Sequence, residues 1–177
     1  MIVGVVLAAG SGRRMGRPKG ELVVRGVRLV DRAVSALHDG GCDRVIAVVR
    51  PGVQVPSADA IENPHPERGM RSSIELAIEA AADADAVAVL PADMPGVGAA
   101  GVRAVLGGWR PGRVALAQYP DGSAHPVVMA PNLWHEALRL AGPDEGARRY
   151  LAANEGLVDL VPAAGYASDL DTPADLG

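Results

Sequence analysis

Phenylalanine is missing from the 177 residues, and aromatic side chains together make up only 3% of them. With the abundance of Ala, Gly and Arg, that shortage reflects genomic base composition and says nothing of function. Cysteine is almost missing as well. Cys42 stands alone, which excludes an intramolecular disulfide and points to a reducing compartment, the cytoplasm. No apolar run approaches the roughly 18 residues that a membrane helix needs, so no membrane is expected as a partner. The apolar start MIVGVVLAAG has no basic stretch before it, and Arg13, Arg14, Arg17 and Lys19 follow at once. It therefore reads as a buried strand and not as a signal peptide. A large excess of either charge is lacking too. A net charge of -4 gives no global pull toward nucleic acid or an anionic surface. Zinc-type Cys/His spacing, internal repeats, low-complexity tracts and interdomain linkers do not occur. What remains is an ordinary globular balance, 49% hydrophobic and 21% charged, on a length that suits a single domain over residues 1–177.

Strand and helix patterns alternate along the chain. Ile2 to Leu7 is a continuous β-branched run that reads as a parallel strand buried on both faces. Val27 to His38 carries Val27, Val30, Val34 and Leu37 at helical spacing, and Gly40-Gly41 ends it. Arg44 to Val49 and Ala86 to Leu90 read as buried strands, with a short strand at Ala58 to Glu62. Helices are expected at Ser72 to Ala82, Ala99 to Leu106, Pro131 to Leu140 and Ala147 to Asn154. Val114 to Gln118 and Pro126 to Met129 flank the turn Asp121-Gly122, and Leu157 to Val161 is a late strand. The expected fold is α/β: a three-layer, Rossmann-like arrangement with a mostly parallel mixed sheet and helices on both faces.

The segment from Leu7 to Lys19 is the most informative. It follows the first strand, and open parallel sheets bind ligands beyond the carboxyl ends of their strands. Gly10, Gly12 and Gly16 let backbone N–H groups approach phosphate oxygens. Arg13 and Arg14 add guanidinium forks and Lys19 a compact charge. Glycines alone would equally suit an ordinary strand-to-helix turn. Arg13, Arg14, Arg17 and Lys19, crowded beside the binding edge, call for an anionic partner. The P-loop spacing is absent. So is the dinucleotide fingerprint, because Met15 stands where Gly-x-Gly-x-x-Gly needs its last Gly, and no clear acidic residue ends the second strand.

Asp93, in Leu90-Pro91-Ala92-Asp93-Met94-Pro95, falls just past a buried strand on the same edge. It is either a helix N-cap or a Mg²⁺ ligand beside a triphosphate, and Pro95, close behind it, counts against the cap. Thr172, Pro173 and Asp175 fit a helix start, which leaves Asp169 and Asp171 without a structural task. Ser72 and Ser73 open a helix, either as caps or beside a bound anion or base edge. Cys42 reads as a buried small residue.

These motifs carry a family resemblance. Leu7-Ala8-Ala9-Gly10-Ser11-Gly12-Arg13-Arg14-Met15-Gly16-Arg17-Pro18-Lys19 resembles the signature loop of the molybdenum-cofactor nucleotidyltransferases. Leu90 to Pro95 and Asp169 to Leu176 resemble two further family motifs. Asn63-Pro64 with Gly69 to Ser73, His125-Pro126, and Asp144 to Arg148 resemble weaker ones, the last with Pro143 in place of a Gly. The resemblance implies the nucleotide-diphospho-sugar transferase fold and Mg²⁺- or Mn²⁺-dependent transfer of a nucleoside monophosphate, with release of pyrophosphate. It implies that Leu7 to Arg14 and Lys19 bind the nucleotide, with Arg14, Lys19 and Asp93 catalytic. It assigns the metal to Asp93 and Asp169, with Asp171 in support, and substrate contacts to Ser72, Ser73, His125 and Arg148. Ala8-Ala9-Gly10 is similar to the CTP-using branch; the guanylyl branch carries Gly in place of Ala9. The implied acceptor is molybdopterin or another small phosphorylated molecule, and a molybdoenzyme or its chaperone is a further implied partner. Left open are GTP as the donor, a non-catalytic nucleotide sensor or cofactor chaperone, and a nicotinamide-dependent oxidoreductase, which the missing fingerprint disfavours.

Overall fold

The computed structural model describes residues 1–10, 18–166 and 168. Its main sheet has seven strands: β1 (Ile2–Leu7), β4 (Arg44–Val49), β5 (Asp59–Glu62), β6 (Ala86–Pro91), β7 (Val114–Tyr119), β8 (Gly122–Met129) and β9 (Val158–Pro162). They lie in the order β5-β4-β1-β6-β8-β7-β9. Only β8 runs against the others, pairing antiparallel with both β6 and β7. The mixed, mostly parallel sheet expected from the sequence is therefore present, and its single reversal falls at the Asp121-Gly122 turn.

Helices cover both faces. α1 (Leu29–Gly40) and α3 (Ala99–Gly108) lie on one side. α2 (Met70–Ala80), α4 (Pro131–Leu140) and α5 (Arg148–Ala153) lie on the other. Successive strand residues point to opposite faces, and the core divides accordingly. Val6, Ala47, Val49, Ala88 and Leu90 pack with Val34 and Leu37 of α1 and Val102 and Val105 of α3. Val3, Val5, Ile46, Val48 and Val89 pack with Ile74 and Ile78 of α2 and Trp134 of α4. Strands buried on both sides carry apolar residues at nearly every position, which is why β1, β4 and β6 are near-continuous hydrophobic runs.

The structure moves three element starts by two residues or more. The helix expected from Val27 starts at Leu29, because Val27–Arg28 forms a short strand, β3, paired with β2 (Val23–Val24). Arg25 and Gly26 turn this hairpin at φ 52° and 79°, the pair of positive angles that a two-residue loop requires. α2 begins two residues before Ser72. β8 reaches back to Gly122, four residues before the expected Pro126. Cys42 is buried as expected, and burial pushes its thiol up to about 12, so it stays protonated and inert.

Candidate active site

The parallel strands all end at one edge of the sheet, and two hydrogen bonds fix how the chain leaves it. The Ala8 N–H donates to the Val48 carbonyl at 2.8 Å, and the Ala92 N–H donates to the Leu7 carbonyl at 3.1 Å. Ala8-Ala9-Gly10 therefore emerges between the turns that follow β4 and β6. Ala8 and Ala9 are buried on opposite faces, whereas Gly10 is exposed, and a Cβ added to it would meet none of the described residues within 4 Å. The returning limb comes back to the same place. A Cβ on Gly20 would lie 2.7 Å from the Ala8 Cβ and 3.1 Å from its carbonyl oxygen, so glycine permits a contact that no larger residue allows. The glycine-rich segment thus leaves and rejoins the body of the protein over Ala8. Ser11, Gly12, Arg13, Arg14 and the Lys19 side chain lie outside the described residues.

Asp93 comes directly after the Ala92 anchor, part-buried at the end of β6. It is not the cap of α3. That helix starts at Ala99 with Gly98 as its N-cap and no side-chain cap bond. The C-terminal limb arrives at the same turn. The Ala163 N–H donates to the Gln118 carbonyl at 2.8 Å, Gly165 bridges Val97, and the Tyr166 N–H donates to the Gly96 carbonyl at 3.4 Å. The Ser168 hydroxyl donates to the Asp121 carboxylate at 3.0 Å. The C-terminal limb as far as Tyr166 thereby docks beside Gly96 and Val97. Asp169 and Asp171 themselves lie outside the described residues. Among the described residues no three His, Cys, Asp or Glu side chains gather as a ready-made metal site. Asp93 nevertheless fits a divalent ion that arrives with a triphosphate, because Mg²⁺ takes one or two carboxylates and completes its shell from phosphates and water.

His125 marks the far flank. β6 and β8 pair from Val87 opposite Met129 to Val89 opposite Val127, and His125 precedes that paired stretch by two residues, where the register between β7 and β8 shifts. The Tyr119 hydroxyl donates to the His125 carbonyl at 2.9 Å and ties the strand tip down. Burial pushes the imidazole down to about 4, so at neutral pH it presents an N–H donor and a lone pair but no cation. Unfolding returns the group to its ordinary value of 6.5, so the unfolded chain binds more protons between those values. Stability is then complete above pH 6.5 and falls as the pH drops toward 4, by up to about 1.4 kcal/mol per pH unit. His125→Asn is expected to flatten that part of a stability-against-pH curve taken from denaturant melts. An unchanged slope would contradict it.

The near flank is the start of α2. Ser72 and Ser73 do not cap this helix; Gly69 holds the N-cap position, with no side-chain cap bond. Both serines instead accept from the amide of Asn63, at 3.0 and 2.9 Å. Gly69 has φ 90°, and a Cβ there would overlap the Pro143 carbonyl, so the loop before α5 packs on the helix start. The Arg71 N–H donates to the Pro143 carbonyl at 3.0 Å. Arg148 lies at the end of that loop, largely exposed and paired with Glu145 at 2.8 Å. Sequence reading named Asn63 only as part of the Asn63-Pro64 motif, with no role of its own, and passed over Tyr119 and Gly20. The pairing of Asn63-Pro64 with the later Gly-Met-x-x-Ser stretch was the available signal for the first, and the other two have none.

Residues 4–158 match the family model described as the MobA-like NTP transferase domain. The chain is 32% identical, over 97% of its length and 92% of the relative's, to the nicotine blue oxidoreductase of Paenarthrobacter nicotinovorans. It is 34% identical to a probable molybdenum cofactor guanylyltransferase of Opitutus terrae, over 86% of this chain and 78% of that one. Among solved structures, Rv0371c of Mycobacterium tuberculosis H37Rv superposes with a TM-score of 0.85 at 26% identity, covering 98% of this chain and 94% of that one. A manganese complex of that protein superposes with a TM-score of 0.78 at 23% identity, covering 98% and 95%.

Proposed function

We propose a specific donor and acceptor for a chain that belongs to the MobA-like NTP transferase family and is thereby a nucleotidyltransferase: it moves CMP from CTP onto the terminal phosphate of molybdopterin, as one domain spanning residues 1–177. The observation that carries this reading is the meeting of three limbs at one sheet edge. The glycine-rich segment opens and closes over Ala8, Asp93 follows the Ala92–Leu7 bond, and the C-terminal limb docks on Gly96. A phosphate oxygen of the acceptor attacks the α-phosphorus, the bond from α-phosphorus to the bridging oxygen breaks, and that oxygen leaves with pyrophosphate. The nucleophile is already ionised, so no general base is needed. Backbone N–H groups of Gly10 to Gly12, with Arg14 and Lys19, orient the triphosphate and take up charge on the departing pyrophosphate. A divalent ion, when bound by Asp93 and Asp169, adds neutralisation of the phosphate oxygens. The manganese complex of Rv0371c supports use of such an ion in this fold. His125, neutral at working pH, faces the acceptor phosphate as a donor.

Two other readings have an observation behind them. Relatives named as molybdenum cofactor guanylyltransferases favour GTP. The relative named as an oxidoreductase favours hydride transfer, against which stands Met15 in place of the fingerprint glycine. Pyrophosphate release is measured with CTP, GTP, ATP and UTP, each with Mg²⁺ and molybdopterin, beside an assay of NADH and NADPH oxidation. CTP is expected to give the highest kcat/KM, with no nicotinamide turnover. Ala9 is almost fully buried, and its methyl is what distinguishes this loop from the guanylyl pattern. Ala9→Gly is expected to shift the CTP/GTP ratio of kcat/KM toward GTP by roughly tenfold, the scale of one methyl group in a tight pocket. A wild type that prefers GTP would overturn the donor assignment and leave the reaction class standing.

A further inference from the structure

The chain has five aromatic residues, and four of them are placed inside it. Tyr119, Trp134 and Tyr150 are buried, and Trp109 is part-buried with its indole N–H donating to the Arg113 carbonyl at 3.2 Å. Tyr166 is 49% exposed. One exposed ring needs no explanation in itself. What distinguishes Tyr166 is how the backbone seats it. A Cβ on Gly96 would overlap Cγ, Cδ2 and Cε2 of the Tyr166 ring almost equally, so the face of the ring, and not its edge, rests on the glycine. Gly165 has φ 123°, and a Cβ there would overlap the Gly96 carbonyl oxygen. Two glycines are therefore needed to lay this ring flat, with one face on Gly96 and the other toward solvent.

The place of the ring on the sheet indicates what the open face meets. β1, β6, β8 and β7 follow one another across the sheet, and Asp93 comes just after β6. The glycine-rich segment leaves from β1, on one side of Asp93. The limb that carries Tyr166 lies on the other side. The Ala163 N–H donates to the Gln118 carbonyl near the end of β7, and a Cβ on Gly165 would lie 3.5 Å from the Tyr119 ring. In an in-line displacement the entering oxygen and the departing pyrophosphate stand on opposite sides of the phosphorus. A donor whose pyrophosphate is held by the glycine-rich segment thus meets its acceptor from the side of β8 and β7, the side of His125 and Tyr166. A flat, half-exposed aromatic ring suits a planar heterocycle, which stacks on its face.

We infer that Tyr166 is a specificity-determining residue for the acceptor: its open face stacks on the acceptor's planar heterocycle while His125 meets the phosphate. The inference rests on the molybdopterin reading proposed above, whose pterin is such a ring. Its test is the KM for molybdopterin in CMP transfer from CTP with Mg²⁺, beside the Kd of CTP by titration calorimetry, both on the full chain. Tyr166→Ala is expected to raise the acceptor KM by roughly tenfold, the scale of one lost stacking contact, and to leave the CTP Kd within about twofold. Tyr166→Phe, which keeps the ring, is expected to stay within about twofold of wild type in both. Tyr166→Leu covers Gly96 with apolar atoms and offers no aromatic face, so it is expected to behave like the alanine variant. The comparison of phenylalanine with leucine carries the test if Tyr166→Ala does not fold. A ring that only shields the backbone would let leucine restore the acceptor KM, and that outcome overturns the inference. A CTP Kd that weakens in step with the acceptor KM overturns it as well, because the ring would then serve the donor or the limb as a whole. A wild type that transfers nothing to molybdopterin removes the acceptor reading and this inference with it, a failure visible before any variant is made.

Discussion

Asp93→Ala is expected to reduce kcat by roughly 10³-fold, the scale set by removing one preorganised electrostatic group from a phosphoryl-type transition state. The fold gives the reason. The Ala92 N–H holds the Leu7 carbonyl, so the carboxylate that follows is set by the sheet and not by a mobile loop. α3 does not begin until Ala99 and takes its cap from Gly98, so the substitution removes no helix cap. Turnover should therefore fall by far more than any change in melting temperature accounts for. Asp93→Asn, which keeps the shape and loses the charge, is expected to behave almost as badly, because a neutral amide oxygen is a poor substitute where a divalent ion and a triphosphate meet. Single-turnover assays of pyrophosphate release, run beside thermal melts, distinguish this from general destabilisation. Turnover that survives in Asp93→Ala would place the ion elsewhere.

Trp134→Ala should produce the largest loss of stability. Trp134 is 1% exposed and is the bulkiest of the fully buried side chains. It locks α4 to the sheet face shared with Ile74, Ile78, Val87 and Val89, and its indole N–H donates to the Val87 carbonyl at 3.1 Å. Truncation opens a cavity that rigid strands cannot close, at a cost of about 3–5 kcal/mol. In a chain of this size that is roughly a 10 °C fall in melting temperature. Trp134→Phe keeps most of the apolar contact and should cost less than half as much. A loss below 1 kcal/mol for the alanine variant would mean that α4 is not held as described.

Much of the architecture was legible because local pattern and tertiary environment agree. Ile2–Leu7, Arg44–Val49 and Ala86–Pro91 are apolar at almost every position, the pattern of strands covered on both faces, and they form the centre of the sheet. The reversal at Asp121-Gly122 was signalled by turn chemistry. Where reading failed, a local signal had two meanings. Val27 fits the helical spacing of Val30, Val34 and Leu37, yet the Arg25-Gly26 turn draws it into a hairpin. Ser72 and Ser73 look like caps, but their partner is Asn63, nine and ten residues earlier, and only the β5-to-α2 connection brings them together. The contact of Gly20 with Ala8 and that of Tyr119 with the His125 carbonyl are likewise products of folding and leave no trace in spacing. At the candidate site, Asp93 and the Ala8-Ala9-Gly10 exit were legible as belonging to one edge, because in a parallel sheet the residues that follow the strands share it.

The most direct test is a crystal of the chain grown with Mn²⁺ and a non-hydrolysable CTP analogue. An anomalous manganese peak is expected in direct contact with the Asp93 carboxylate and the analogue's phosphates, with Asp169 completing the shell. A triphosphate seated away from the Gly10 limb, or manganese bound with Asp93 turned elsewhere, would contradict the assignment of this edge as the catalytic centre.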